Sequence, residues 1–131
     1  MIGGSGRCLC GAVRYRFEGE PKWQGHCHCE SCRRATSSPL TSFFCVADDG
    51  LTWEGEVARY ASSPGVERLF CGRCGSPMGY RNAKRPDETD LFAATLDDAS
   101  AYAPAFHVFW AEHVPWLHVE DGLTKHEGGG S

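Results

Sequence analysis

Cys27-His28-Cys29-Glu30-Ser31-Cys32 puts three thiols into six residues, with the spacing CxCxxC. Such spacing lets sulfurs from one turn of chain converge on one ion, and zinc takes thiolates at roughly 2.3 Å in a tetrahedron. Two more cysteine pairs lie outward from this motif. Cys8-Leu9-Cys10 is a CxC, and Cys71-Gly72-Arg73-Cys74 is a CxxC. Gly72 and Gly75 flank Cys74 and suit a tight knuckle with backbone N–H groups turned toward the sulfurs. The eighth cysteine, Cys45, stands alone in an extended apolar segment and reads as a small buried hydrophobe. One CxxC is a weak signal, but three clusters in 131 residues are a strong metal signature.

Seven thiols divide naturally as four and three. Four close a tetrahedron and make a structural site, whereas three leave a position open for water or substrate. Spacing alone allows Cys8/Cys10 with Cys71/Cys74, leaving Cys27, Cys29 and Cys32. It also allows Cys29/Cys32 with Cys71/Cys74, leaving Cys8, Cys10 and Cys27. His26, His28 or Cys45 can in principle close the second site.

The rest of the chain bounds the answer. Its composition is that of a globular domain, with 41% hydrophobic and 23% charged residues. The length allows one domain. A net charge of −4 argues against a general nucleic-acid partner, which needs a basic face. No apolar run reaches the length of a membrane span. The start, Met1-Ile2-Gly3-Gly4-Ser5-Gly6-Arg7, lacks a secretion-signal core, so a cytoplasmic location is the expectation, and reduced thiols with it. We expect a zinc domain over residues 1–124 and a flexible or artificially appended tail over 125–131.

Val13, Tyr15 and Phe17 alternate with Arg14 and Arg16, a half-buried strand. Leu40 to Val46, Leu51 to Trp53, Val57 to Tyr60, Val66 to Phe70, Met78 to Arg81, Leu91 to Leu96 and Phe106 to Trp110 read as further strands. Turn signals such as Asp48-Asp49-Gly50 and Ser62-Ser63-Pro64-Gly65 separate several of them. Only Glu30 to Ala35 and Asp97 to Tyr102 read as short helices. The class is therefore mainly β.

The sequence resembles the glutathione-dependent formaldehyde-activating enzyme family, which includes centromere protein V-like proteins. The resemblance rests on Cys8-Leu9-Cys10-Gly11-Ala12-Val13-Arg14-Tyr15, on Cys27-His28-Cys29-Glu30-Ser31-Cys32-Arg33-Arg34, and on Phe70-Cys71-Gly72-Arg73-Cys74-Gly75-Ser76-Pro77. Leu96-Asp97-Asp98, His107, Trp110, Pro115-Trp116-Leu117 and Asp121-Gly122-Leu123 extend it over nearly the whole chain. It implies a small zinc-binding β-tent of packed antiparallel sheets with few short helices. It also implies two zinc ions per chain. Cys8, Cys10, Cys71 and Cys74 would hold a structural ion. Cys27, Cys29 and Cys32 would hold a catalytic one. The implied reaction is that of a carbon–sulfur lyase, joining formaldehyde and glutathione reversibly to S-(hydroxymethyl)glutathione. The partners are then a small thiol and a small aldehyde, with neither nucleic acid nor membrane. Where many relatives carry glycine and small residues before a proline, this chain has Thr36-Ser37-Ser38-Pro39.

Coordination deprotonates sulfur, so a three-thiolate zinc can hold a thiol in its open position as thiolate, a strong nucleophile toward an aldehyde. The alternative is a non-catalytic zinc-stabilised domain that binds a protein partner or a thiol adduct. Among the flanking residues, His26 and His28 read as solvent-facing loop histidines rather than ligands. Glu30 reads as a surface charge at a helix start, with a general-base role as the sharper alternative. Arg33 and Arg34 divide evenly between solvated charge and service at the anionic centre. Trp53, Trp110 and Trp116 read as core or pocket wall, and His107 as a core histidine with a satisfied partner.

Overall fold

The computed structural model describes residues 1–129 and is mainly β. Gly130 and Ser131, the end of the expected tail, lie outside the described residues. A three-stranded antiparallel sheet joins β1 (Gly4–Arg7), β2 (Arg14–Phe17) and β5 (Leu51–Glu54) in the order β1-β2-β5. The larger sheet contains β3 (Trp23–Cys27), β4 (Thr41–Ala47), β6 (Val57–Ser63) and β7 (Val66–Cys71). It also contains β8 (Pro77–Asn82), β9 (Glu88–Phe92), β10 (Phe106–Val108) and β11 (Thr124–Lys125). Its order is β11-β10-β3-β4-β9-β8-β7-β6. The expected antiparallel pairing holds except at one edge, where β10 runs parallel to both β3 and β11.

The core forms where the sheets meet. Alternation along β2 turns Tyr15 and Phe17 inward while Arg14 and Arg16 stay exposed. Tyr15 and Phe17 pack with Phe44, Met78 and Leu91 of the large sheet, and the Phe17 and Phe44 rings lie 5.2 Å apart. Cys45 is fully buried, as expected. Burying such side chains stabilises the domain by about 1.5–3 kcal/mol each.

Three strands escape the sequence patterns, the two-residue β11 and two that depend on glycine at a close approach. In β1, a Cβ on Gly6 would stand 2.2 Å from the Tyr15 hydroxyl oxygen. In β3, a Cβ on Gly25 would stand 2.5 Å from the Phe106 ring. Glycine admits a neighbour there and erases the alternation that marks a strand.

The only α-helix among the described residues, α1 (Glu30–Thr36), lies close to its expected bounds. Residues 97–102 give a single 3-10 turn, Ala99–Ala101. The expected strand to Leu96 stops at Phe92 and becomes a 3-10 turn, Ala93–Thr95. Toward the C-terminus the chain stays paired beyond residue 124. His126 N–H donates to the His107 carbonyl at 2.9 Å, and Phe109 N–H to the Gly128 carbonyl at 2.7 Å. No helix among the described residues is long and apolar enough to cross a membrane.

Candidate metal centres and cavity

The fold gathers the cysteines into two groups and leaves all eight as free thiols. Cys8, Cys10, Cys71 and Cys74 form one group, with every sulfur within 4.8 Å of the others. Cys8 follows β1 and Cys71 ends β7, so the group ties the small sheet to the large one. Each hairpin is shaped by its own backbone. Cys8 N–H donates to the Val13 carbonyl, and Val13 N–H points at the Cys8 sulfur at 3.3 Å. Gly75, at a φ of 81°, closes the second turn by donating to the Cys71 carbonyl, and Cys74 N–H faces the Cys71 sulfur at 3.4 Å. That φ suits glycine.

Cys27, Cys29 and Cys32 form the second group. Cys27 ends β3, Cys29 caps the N-terminus of α1, and Cys32 lies within its first turn. The Cys29 sulfur accepts the Cys32 N–H at 3.3 Å, so the cap and the site are one feature.

The donor sets fit tetrahedral zinc. Ligands at about 2.3 Å on a tetrahedron keep sulfurs about 3.8 Å apart. Cys8 and Cys10 are 3.7 Å apart, Cys10 and Cys71 3.8 Å, and Cys27 and Cys32 4.0 Å. Without a cation, three thiols packed together resist carrying three charges. Hydrogen bonding with Cys29 and Cys32 pushes the Cys27 thiol up, while bonds from Cys27 and Cys29, and then Arg68, pull Cys32 down.

The second group opens into a cavity of about 660 Å³, within the range of small-molecule sites. Cys27, Cys29, Cys32, Phe43, Tyr80 and Arg68 are among its walls. Arg68, on β7, is a residue beside the sulfurs that sequence reasoning missed. Its guanidinium stands 3.6 Å from the Cys32 sulfur and 5.2 Å from the Tyr80 ring centroid. Its Nε donates to Ser62 at 3.3 Å. Among the described residues it has no carboxylate partner, whereas Arg85 in the same cavity is committed to Asp90 and Glu88.

The arginines adjacent to the motif lie elsewhere. Arg34 is exposed and reaches Glu30 at 3.6 Å, so both are surface charges. Arg33 buries its Nε without a hydrogen-bond partner. Trp110 stacks on His113 at 3.9 Å and is not among the residues that line the cavity.

His28 corrects the expectation of a solvent-facing side chain. It is 2% exposed, and its Nε2 lies 2.8 Å from Nδ1 of the fully buried His107. Burial and the neighbouring imidazoles hold His28 down at about 4. His107 Nε2 lies 2.7 Å from Asp121. Desolvation raises the Asp121 carboxyl, but hydrogen bonds from His107 and Leu123 N–H outweigh it and leave it below its ordinary range. His26 instead bonds Ser42 at 2.9 Å.

Comparison with known proteins finds relatives of this chain. A family model described as glutathione-dependent formaldehyde-activating enzyme matches residues 4–112. An uncharacterized lyase of Schizosaccharomyces pombe is 39% identical over 83 residues, which cover 62% of this chain and 61% of that protein. The match thus spans less than two thirds of the yeast relative. A Halomonas elongata protein, provisionally named a glutathione-dependent formaldehyde-activating enzyme, is 27% identical over 88% of this chain and 80% of its own. A crystal structure of a Rhodobacter sphaeroides protein superposes with a TM-score of 0.60 at 22% identity, over 72% of this chain and 88% of that one. That likeness concerns the fold.

Proposed function

The chain belongs to the glutathione-dependent formaldehyde-activating enzyme family, and we propose from that membership that it joins and releases a small aldehyde and a thiol. The thiol of this reading is glutathione and the aldehyde formaldehyde. The observation that carries the proposal is the three-sulfur cluster of Cys27, Cys29 and Cys32 facing a cavity with an uncommitted arginine. In this reading Cys8, Cys10, Cys71 and Cys74 hold a structural zinc. Cys27, Cys29 and Cys32 hold a second zinc at the reaction site.

A zinc ion held by Cys27, Cys29 and Cys32 would supply the positive charge that keeps a substrate thiol in its thiolate form. In the joining direction the substrate S–H bond and the carbonyl π bond break. A carbon–sulfur bond forms, and the proton ends on the former carbonyl oxygen. The reverse step cleaves the carbon–sulfur bond and returns the aldehyde.

The protein's own side chains do the rest. Three thiolates outnumber a divalent charge by one, and a substrate thiolate makes the excess two. Arg68, beside Cys32, returns one positive charge. Tyr80 and Ser62 hold its guanidinium in place. Phe43, Phe92 and Tyr80 pack beside the cluster and limit water at one wall. This low-dielectric side strengthens the ion pairing. The reaction needs free thiols, which fits a cytoplasmic setting.

Two-dimensional exchange NMR with labelled formaldehyde and glutathione tests the proposal, since it separates catalysed exchange from spontaneous adduct formation. Zinc-loaded protein should speed exchange in proportion to its concentration. Exchange at the spontaneous rate, with both clusters loaded, would leave a binding role instead.

A further inference from the structure

Cys27 and Cys29 line the cavity, but His28 between them does not. Its ring is directed instead into a buried hydrogen-bonded row. Nε2 of His28 meets Nδ1 of His107 at 2.8 Å, and Nε2 of His107 meets Asp121 at 2.7 Å. The two imidazoles are 2% and 0% exposed. Trp110 lies edge-on to both rings, at 4.7 and 5.7 Å between centroids. The backbone adds a second hold, because His28 N–H donates to the Val108 carbonyl at 3.0 Å. Parallel pairing makes this possible. It sets His107 beside His26 and Val108 beside Cys27.

We propose that His107 and Asp121 are positioning residues that set the spread of the Cys27 and Cys29 sulfurs. Asp121 is an acceptor, so Nε2 of His107 must donate to it. In the neutral imidazole Nδ1 then accepts the Nε2 proton of His28. His28 is thereby pinned by its ring and by its backbone. The peptide between the two cysteines cannot swivel, and both sulfurs stay aimed at Cys32 before an ion arrives. His26, His107 and Asp121 lie close enough together to hold an ion, yet the spacing of His107 and Asp121 fits a hydrogen bond better. The 2.7 Å between His107 and Asp121 is a hydrogen-bond length. It is shorter than the roughly 3.3 Å kept by two ligands each about 2.0 Å from one ion.

This inference rests on the reading of Cys27, Cys29 and Cys32 as a zinc site. Two substitutions separate positioning from packing. His107→Gln reaches the former Nε2 position and loses the acceptor for His28. His107→Asn reaches the former Nδ1 position and keeps it. Both remove the ring. Zinc affinity is measured by chelator competition, and the absorption bands of cobalt(II) at the three-cysteine site are recorded alongside. The Gln variant should bind zinc there about tenfold or more weakly, in the range seen for lost outer partners of metal ligands. Its cobalt bands should shift. The Asn variant should recover most of the affinity and the wild-type bands, and the four-cysteine site should be unchanged in both. Equal affinity in the two variants overturns the positioning role. Should neither variant fold, Asp121→Ala serves, since that side chain is 31% exposed and alanine leaves Nε2 of His107 without its acceptor. Unchanged zinc affinity and cobalt bands there overturn the role as well. Wild-type protein that binds a single zinc overturns the underlying reading instead.

Discussion

The Arg68 guanidinium stands 3.6 Å from the Cys32 sulfur, although the two residues lie 36 positions apart and on different elements. A strand at the far side of the sheet thus delivers the positive charge that the cysteine loop lacks. Hydrogen bonds to charged groups contribute about 1.5–3 kcal/mol, which corresponds to roughly ten- to a hundredfold in rate or affinity. Arg68→Gln should lower kcat/KM for glutathione by that factor, and Arg68→Lys should recover part of it. Steady-state kinetics on zinc-loaded protein check this, with unchanged thermal unfolding as the control.

The two cysteine groups should respond differently to loss of one sulfur. Cys8 and Cys74 belong to the group that bridges the sheets. A structural zinc contributes on the order of 10 kcal/mol to folding. Cys8→Ser or Cys74→Ser should therefore unfold the domain or lower its melting temperature steeply. Cys29→Ser should abolish turnover with a smaller thermal effect. Calorimetry with metal analysis distinguishes the two. Equal destabilisation in both groups would remove the structural and catalytic distinction.

Ser37 ends α1 in the left-handed region, with a φ of 57° and a ψ of 34°. This is the helix C-cap conformation that glycine adopts without strain. A side chain there costs about 1–2 kcal/mol, offset in part by the greater freedom glycine gives the unfolded chain. Ser37→Gly should stabilise the domain by about 0.5–1 kcal/mol. Urea unfolding provides the measurement, and a loss of stability would show that the serine hydroxyl matters more than its backbone.

Burial pushes the Tyr15 phenol up to about 12, against its hydrogen bond with Thr95. The folded state thus holds the proton more tightly than the unfolded one. This contribution to stability is complete below pH 10, the ordinary phenol value, and is lost as pH rises toward 12. Tyr15→Phe should flatten the decline between those values, at a cost of about 1 kcal/mol at neutral pH for the lost hydrogen bond. Unfolding free energies measured across that range test the sign.

What the sequence discloses is local. The cysteine groups are legible because ligand spacing is a short-range constraint. β2 is legible because its alternation is unbroken. β1 and β3 are not, because Gly6 and Gly25 exist to let Tyr15 and Phe106 cross close by. Arg33 and Arg34 attract attention by adjacency, yet the helix turns Arg34 outward to Glu30, and Arg68 takes the place beside the sulfurs. The burial of His28 depends on β10, which comes some 80 residues later and pairs in parallel, with His28 N–H bonded to Val108. No pattern around Cys27 encodes that partner. Its signal lay in His107 and Asp121, both among the residues of the family resemblance.

The division into one closed and one open cysteine group can be read most directly by X-ray absorption at the zinc edge, on protein of measured metal content. Two zinc ions per chain are expected, with four sulfur ligands at the Cys8/Cys10/Cys71/Cys74 site and three protein sulfurs plus one light atom at the Cys27/Cys29/Cys32 site. On addition of glutathione, the light atom should be replaced by a fourth sulfur. One zinc per chain, or a second site whose ligands do not change when glutathione is added, would contradict that division.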